Sequence, residues 1–235
     1  QEFIKKNFEY VGENFAYEAR SIHYDKKKKT KGIYGKASKN DIKELKHKIG
    51  LGVEGQTTTV LTAIRGWPGV GKTTIAAVLA YDPDIATAFP DGVLWVSLGQ
   101  EPNILAEMTA WGRTLGTDEL LKARNIQEAQ AQLSALLRNK CMLLLIDDVW
   151  QSEHAIPFNI GGPKCTTLIT TRLNDVAREL APSPENIYLL PVLSDESAME
   201  LMSILAPSVV QNYRDDVLLL VHELEGLPLA LQVAG

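Results

Sequence analysis

"TVLTAIRGWPGVGKTTIAAVLA", Thr59 to Ala80, decides the fold. An apolar run stops at Arg65, and three glycines (Gly66, Gly69 and Gly71) then fall within six residues. Lys72, Thr73 and Thr74 follow and open an alanine-rich run. Gly66 to Thr73 fits G-x-x-x-x-G-K-[ST], with a strand pattern before it and a helix pattern after it, which is the context that motif requires. Glycines let the backbone fold inward so that successive N–H groups face one anion. The N-terminus of the following helix adds about half a positive charge. Pro68, Gly69, Val70, Gly71, Lys72, Thr73 and Thr74 are therefore expected to cradle phosphates, with Lys72 as the point charge on the β- and γ-phosphates and the Thr73 hydroxyl as a Mg2+ ligand. The competing reading is a glycine-rich turn without a ligand. Trp67 is expected to pack outside the loop and carries no chemistry.

Outward from this stretch, strand and helix patterns alternate. "TVLTAI", "GVLWVSL", "CMLLLID", "CTTLITT" and "NIYLLPVL" read as strands. They are apolar at nearly every position, so both faces must be covered, and this implies a parallel sheet between helices. Residues 72–81, "IQEAQAQLSALLRN" and "NDVAREL" are the intervening helices, and "SKNDIKELKHKI" is a capped helix ahead of the sheet. From Ser194 the strand pattern is gone, and "SDESAMELMSIL", "YRDDVLLLVHEL" and "LPLALQVA" read as a small helical bundle. Near the N-terminus, Phe3, Ile4, Phe8, Val11 and Phe15 are spaced as one helical face. The expected fold is α/β, a P-loop NTPase with a five-stranded parallel sheet sandwiched by helices and a small helical subdomain after it. The expected units are a basic and aromatic linker or tail at 1–31, a nucleotide-binding domain at 32–193, and an incomplete helical subdomain at 194–235.

A phosphate loop needs a second site for the metal. "CMLLLIDDVW" ends an apolar strand in Asp147 and Asp148. A carboxylate at that strand end is placed to hold Mg2+ directly or through water, which assigns the metal to Thr73 and Asp147. Asp148 is then the group that orients or deprotonates an attacking water, unless the pair simply caps the next helix. "TTLITTR" ends another strand in Thr170, Thr171 and Arg172. A cation there distinguishes a triphosphate from a diphosphate; a surface pair with Asp175 is the alternative. Lys72, Asp147, Asp148 and Arg172 form the expected catalytic set.

Bulk properties narrow the class. Apolar residues make up 45% of the 235, enough for a core, and the net charge of −5 argues against a general nucleic-acid binder. Charge is uneven: residues 1–31 hold eight Lys/Arg against five Asp/Glu, the remainder 16 against 24. The run Lys26 to Lys29 reads as a solvated linker, with direct nucleic-acid binding as its rival. The two cysteines, Cys141 and Cys165, each open an apolar run, which suits buried thiols in a reducing compartment. "MLLLI" is far short of the ~20 residues that span a bilayer, and no signal-peptide pattern opens the chain. No membrane partner and a cytoplasmic location are expected. The absence of an initiator Met and the end at "LPLALQVAG" are read as the edges of a piece of a longer protein.

These motifs, in this order, resemble the NB-ARC family of STAND-type NTPases over about residues 32 to 235. "FPDGVLWVSLGQ" is similar to the segment after the family's P-loop helix, "LLLIDDVW" to its Walker B strand and "TTLITTR" to its sensor strand. "LEGLPLAL" resembles the Gly-x-Pro motif of the helical ARC1 subdomain, which implies that Pro228 lies against adenine; the same residues also make a helix start. "GIYGK" resembles the hydrophobic-hydrophobic-Gly-Arg motif at the family's N-terminal boundary, which implies that Ile33, Tyr34 and Lys36 border the base. The chain departs from it at Lys36, since lysine lacks the planar fork of arginine; a surface turn is the alternative there. The resemblance implies ATP or ADP with Mg2+ as cofactors and a nucleotide that marks a state. In the full-length protein it implies an upstream effector, a downstream sensor domain and self-association in the ATP state. The rival is a turnover ATPase, a motor or remodeller in which Asp148 is an efficient base.

Overall fold

The computed structural model describes residues 8–10, 32–34, 39–49, 57–62 and 69–235. Gly66, Trp67, Pro68, Lys36, the lysine run and Phe3, Ile4, Val11 and Phe15 lie outside the described residues. Among the described residues seven strands follow one another: β1 (Phe8–Tyr10), β2 (Gly32–Tyr34), β3 (Thr57–Thr62), β4 (Gly92–Gly99), β5 (Met142–Val149), β6 (Thr166–Thr171) and β7 (Ile187–Leu189). The helices are α1 (Lys39–Lys48), α2 (Lys72–Ala80), α3 (Pro83–Ala88), α4 (Ile104–Thr114), α5 (Ile126–Leu137), α6 (Ser152–Ala155), α7 (Asn174–Leu180), α8 (Asp195–Leu205), α9 (Pro207–Asn212), α10 (Arg214–Glu223) and α11 (Pro228–Ala234).

Five strands form one sheet in the order β4-β5-β6-β3-β7, and every pair is parallel. The order has a consequence that chain order conceals. β4 lies between the glycine loop and the acidic strand in sequence, but in space it is the edge strand, and β6 is inserted between β3 and β5. The "TTR" strand end therefore stands between the end of β3 and the two aspartates.

The period of two along β5 divides the core. Leu143 and Leu145 face Ile75 and Leu79 of α2, Leu45 and Ile49 of the α1 end, and Tyr188 and Leu190. Leu144 and Ile146 face the other layer, with Met108 and Trp111 of α4, Leu133 and Leu137 of α5, and Phe158. Trp111 meets Phe158 edge-on, with centroids 5.0 Å apart and planes at 73°, and donates its indole N–H to the Trp95 carbonyl at 3.0 Å. Cys165 is buried in the second layer and Cys141 packs on the first, and both are free thiols.

A third cluster is built from the last helices: Ala198, Met199, Leu201, Met202, Val210, Val217, Val221 and Leu231. Ser194 caps α8 by accepting from the Ser197 N–H at 3.3 Å. Gly226 is required twice over. Its φ is +64°, and a Cβ there would sit 2.4 Å from the Leu193 carbonyl oxygen. No helix among the described residues is long and apolar enough to cross a membrane.

One expectation changes, and one helix adds to those expected. The N-terminal helical face is replaced, where the chain is described, by a strand: Phe8–Tyr10 pairs in parallel with Gly32–Tyr34. Aromatic residues suit a pleated ribbon, and the inter-strand pairing overrides the helical spacing. α4 was not legible as a helix, yet Asn103 caps it by accepting from the Ala106 N–H, and Ile104, Met108 and Trp111 form its buried stripe.

Phe158 is 0% exposed and supports Trp111. Phe158→Ala is expected to cost about 3–5 kcal/mol of stability, read as a lower urea midpoint with an unchanged slope.

Candidate nucleotide-binding site

All five strands of the sheet point their carboxyl ends to one edge, and the loops beyond that edge are where open α/β sheets bind ligands. Lys72 is the first residue of α2 and Gly71 precedes it with φ +99°. A Cβ on Gly71 would meet nothing within 4 Å, so the backbone angle alone calls for glycine. No side chain caps α2. Its first N–H groups are left for an anion. Lys72 is 8% exposed. Burial pulls its ammonium below the usual lysine range, the positive charge of Arg172 acts in the same direction, and Asp148 and Asp147 oppose it.

Asp147 is 3% exposed. Thr73 donates to its two oxygens at 3.0 and 3.2 Å, and Thr170 donates to Oδ1 at 2.5 Å. Ser97 reaches Oδ2 at 3.5 Å. Burial pushes the carboxyl above the usual aspartate range, and the Thr170 and Thr73 hydroxyls only partly offset it. Lys72 and Asp147 are thus charged groups taken out of water with incomplete compensation, a state that a polyphosphate and a divalent cation would relieve. The oxygen donors of Thr73 and Asp147 are the hard ligands Mg2+ takes, so these residues fit the metal.

An irregularity in the β5–β6 ladder places the two aspartates. Ile146 pairs with Ile169 and Val149 with Thr171, so Asp147 and Asp148 together oppose Thr170. Such a bulge leaves backbone groups without ladder partners. The β6 threonines take them over. Thr170 accepts the Asp148 N–H at 2.9 Å while donating to Asp147. Thr171 donates to the Val149 carbonyl at 2.7 Å and accepts the Leu173 N–H at 3.1 Å. Asp148 itself has φ +53°, an uncommon angle for a residue with a Cβ.

Arg172 pairs with an acid, as the alternative reading allowed, but the acid is Asp148, at 3.4 Å from Nε. Its guanidinium lies 5.2 Å from the Trp150 ring centroid, and the Trp150 N–H donates to Asp148 Oδ2 at 3.2 Å. Pro228 is the first residue of α11. The next residue makes the contact that sequence reading missed: the Leu229 N–H donates to the Gly69 carbonyl at 3.2 Å. A Cβ on Gly69 would lie 2.4 Å from the Leu229 Cβ, and Gly69 has φ +87°. Helical bundle and phosphate loop therefore touch through main chain. Ile33 and Tyr34 lie on β2, whose backbone alone is described. Ser97, Thr170, Thr171 and Trp150 join the site without having been singled out for it; only their nearness to the motif residues hinted at them.

A parallel sheet of this order, with a glycine loop opening α2 and an acidic strand end opposite it, defines a P-loop NTPase. Comparison with known proteins narrows the class. The NB-ARC domain model matches residues 39–210, and a model of a protein of unknown function, DUF1178, matches residues 1–54. The chain belongs to the NB-ARC family and is a nucleotide-binding module of the STAND class. Human apoptotic protease-activating factor 1 is 30% identical over 183 residues, which is 73% of this chain and 14% of that protein. Probable disease resistance protein At4g33300 of Arabidopsis thaliana is 29% identical over 179 residues, 73% of this chain and 20% of that protein. The chain thus spans between a seventh and a fifth of these relatives' lengths. Among solved structures, Cdc6p from Pyrobaculum aerophilum superposes with a TM-score of 0.54 at 14% identity, over 77% of this chain and 52% of that one, a likeness of fold.

The raised Asp147 pKa sets a pH dependence. The folded state holds this proton more tightly than the unfolded chain, so stability falls as pH rises from the unfolded aspartate value, about 3.9, through the raised folded one. Asp147→Asn is expected to be more stable than the parent at pH 7.5 without nucleotide or Mg2+, with the gap narrowing toward pH 4.5. Urea denaturation at the two pH values checks it; an equal gap at both would contradict the burial argument.

Proposed function

We propose that this chain is the ATP/ADP switch of a STAND signalling or defence protein, with the nucleotide kept as a state marker and hydrolysed slowly. The observation that carries the reading is the Leu229 N–H on the Gly69 carbonyl, because it ties the position of the helical unit to the loop that would hold the phosphates. The units in this reading are 32–193 for the nucleotide-binding domain, 194–235 for the helical subdomain, and 1–31 for a linker or the tail of an upstream domain.

In this reading Gly69 to Thr74 and the α2 N-terminus bind the β-phosphate, and Lys72 neutralises the β- and γ-phosphates. Mg2+, held by Thr73 and Asp147, neutralises phosphate oxygens when bound. Pro228, with Ile33, Tyr34 and Lys36, borders adenine. Arg172 reads the γ-phosphate, and Asp148 is the group that orients water. A switch requires that ATP and ADP favour different placements of the helical unit. Moving a population from 1:99 to 99:1 takes about 5.5 kcal/mol of differential binding. Phosphate contacts of Arg172 on one side and loop contacts of Leu229 on the other are groups through which such a difference can act. In the whole protein, exchange to ATP then opens the module and permits self-association, with effector and sensor domains elsewhere in the chain, in the cytoplasm. Turnover catalysis fits less well, because both oxygens of Asp148 are engaged by Arg172 and Trp150 until a ligand displaces them, so no base stands ready.

The purified protein is expected to retain ADP and to turn over far below the ~10 s−1 median of enzymes. Turnover near that value would favour the motor or remodeller. Lys72→Ala is expected to abolish retention, read by chromatography of the nucleotide released on denaturation; unchanged ADP content would refute the site. Arg172→Ala is expected to weaken ATP roughly ten- to a hundredfold, the range of a charged hydrogen bond, with ADP affinity held. Equal losses for both nucleotides would remove its sensor role.

A further inference from the structure

Asp148, Trp150 and Arg172 form a closed triangle in which each member touches the other two. Asp148 accepts from the Trp150 N–H on one oxygen and faces Arg172 Nε with the other. Arg172 completes the figure by lying over the indole ring. The positive φ of Asp148 is the backbone distortion at the strand end that carries it. The side chains of Arg172 and Asp148 are 35% and 30% exposed. An ion pair that wet is weakly held by Coulomb attraction alone, and the indole adds both a hydrogen bond and a cation–π contact to it.

We propose that Trp150 is a positioning residue that parks Arg172 on Asp148, so that the sensor arginine and the water-orienting carboxylate mask each other until a γ-phosphate draws the arginine away. The proposal rests on the switch reading and specifies how its two states differ at the phosphates. The parked guanidinium stays at the edge of the site, since Arg172 directly follows β6, whose Thr170 donates to Asp147. A diphosphate leaves the triangle intact. A triphosphate brings a further anionic group that competes with Asp148 for Arg172, and the same displacement frees Asp148 to face water. Sensing of the third phosphate and release of the carboxylate are then one event, and the stability of the triangle opposes ATP without acting on ADP.

The test measures ATP and ADP affinities separately for the parent, Trp150→Ala, Trp150→Phe, Arg172→Ala and the Trp150→Ala/Arg172→Ala double variant. Losing the indole cheapens unparking, so Trp150→Ala should raise the ratio of ATP to ADP affinity roughly three- to tenfold, the worth of a partly exposed cation–π contact. Trp150→Phe keeps a ring face and loses the N–H, and should fall between. In the Arg172→Ala background the Trp150 effect on the ratio should vanish, as coupling through one partner demands. ATP but not ADP should also change tryptophan emission in the parent, and Trp150→Phe should remove that change. Equal weakening of both nucleotides by Trp150→Ala and Trp150→Phe, or an effect that persists without Arg172, would overturn the proposal and leave Trp150 as packing. If Trp150→Ala does not fold, Trp150→Phe and its emission decide alone. If Arg172→Ala itself fails to discriminate the nucleotides, it is the switch reading that falls.

Discussion

A buried carboxylate at the end of a buried strand is the constraint around which this edge of the molecule is arranged. Asp147 has almost no access to water, and its charge is stabilised by hydroxyls from three different segments: Thr73 at the start of α2, Thr170 at the end of β6 and, at longer range, Ser97 on β4. These hydroxyls do not compensate the burial in full. A group in this condition costs stability when nothing is bound and rewards the arrival of a cation. The same holds with opposite sign for Lys72, whose ammonium is buried beside the open N-terminus of α2. A ligand carrying both charges would offset both penalties, and in the proposed reading that ligand is a metal-bound polyphosphate.

The bulge in β5 is what allows two consecutive aspartates to serve different ends. In a regular strand adjacent side chains point to opposite faces. Here Asp147 and Asp148 share one opposing residue, and Thr170 substitutes for the missing ladder partner. Asp147 turns to Thr73 and Thr170, and Asp148 turns to Trp150 and Arg172. The two threonines before the arginine thus repair the backbone on one side and hold a carboxylate on the other. Their hydroxyls explain why this strand end is polar although it is fully buried.

The helical bundle reaches the same edge by a different route. Gly226 turns the chain after α10 against the Leu193 backbone, and α11 starts two residues later. Its second residue then meets the phosphate loop. Leu229 is 46% exposed overall, yet its backbone N–H and Cβ are the points of contact with Gly69. A rigid-body shift of the bundle would break that hydrogen bond and uncover the loop, which is why nucleotide state and bundle position are linked in the proposed reading.

Much of this was readable without coordinates, because the features concerned are local. A glycine loop needs its glycines and lysine within a few residues, and strands covered on both faces are apolar throughout, so the α/β class and the positions of Lys72, Thr73, Asp147 and Arg172 follow from short windows. Of the later helices, α8, α10 and α11 were legible for the same reason, while the short α9 was not. What needed the tertiary structure are contacts between segments far apart in the chain: the pairing that opposes two aspartates with Thr170, the partner of Arg172, the triangle with Trp150, and Leu229 against Gly69. At Phe8, the one described residue of the expected N-terminal helical face, strand pairing with Gly32–Tyr34 outweighs the helical spacing. Local chemistry determines which groups exist and which element carries them. Only the register and packing of the folded chain decide which groups meet, because those depend on where every other element comes to rest.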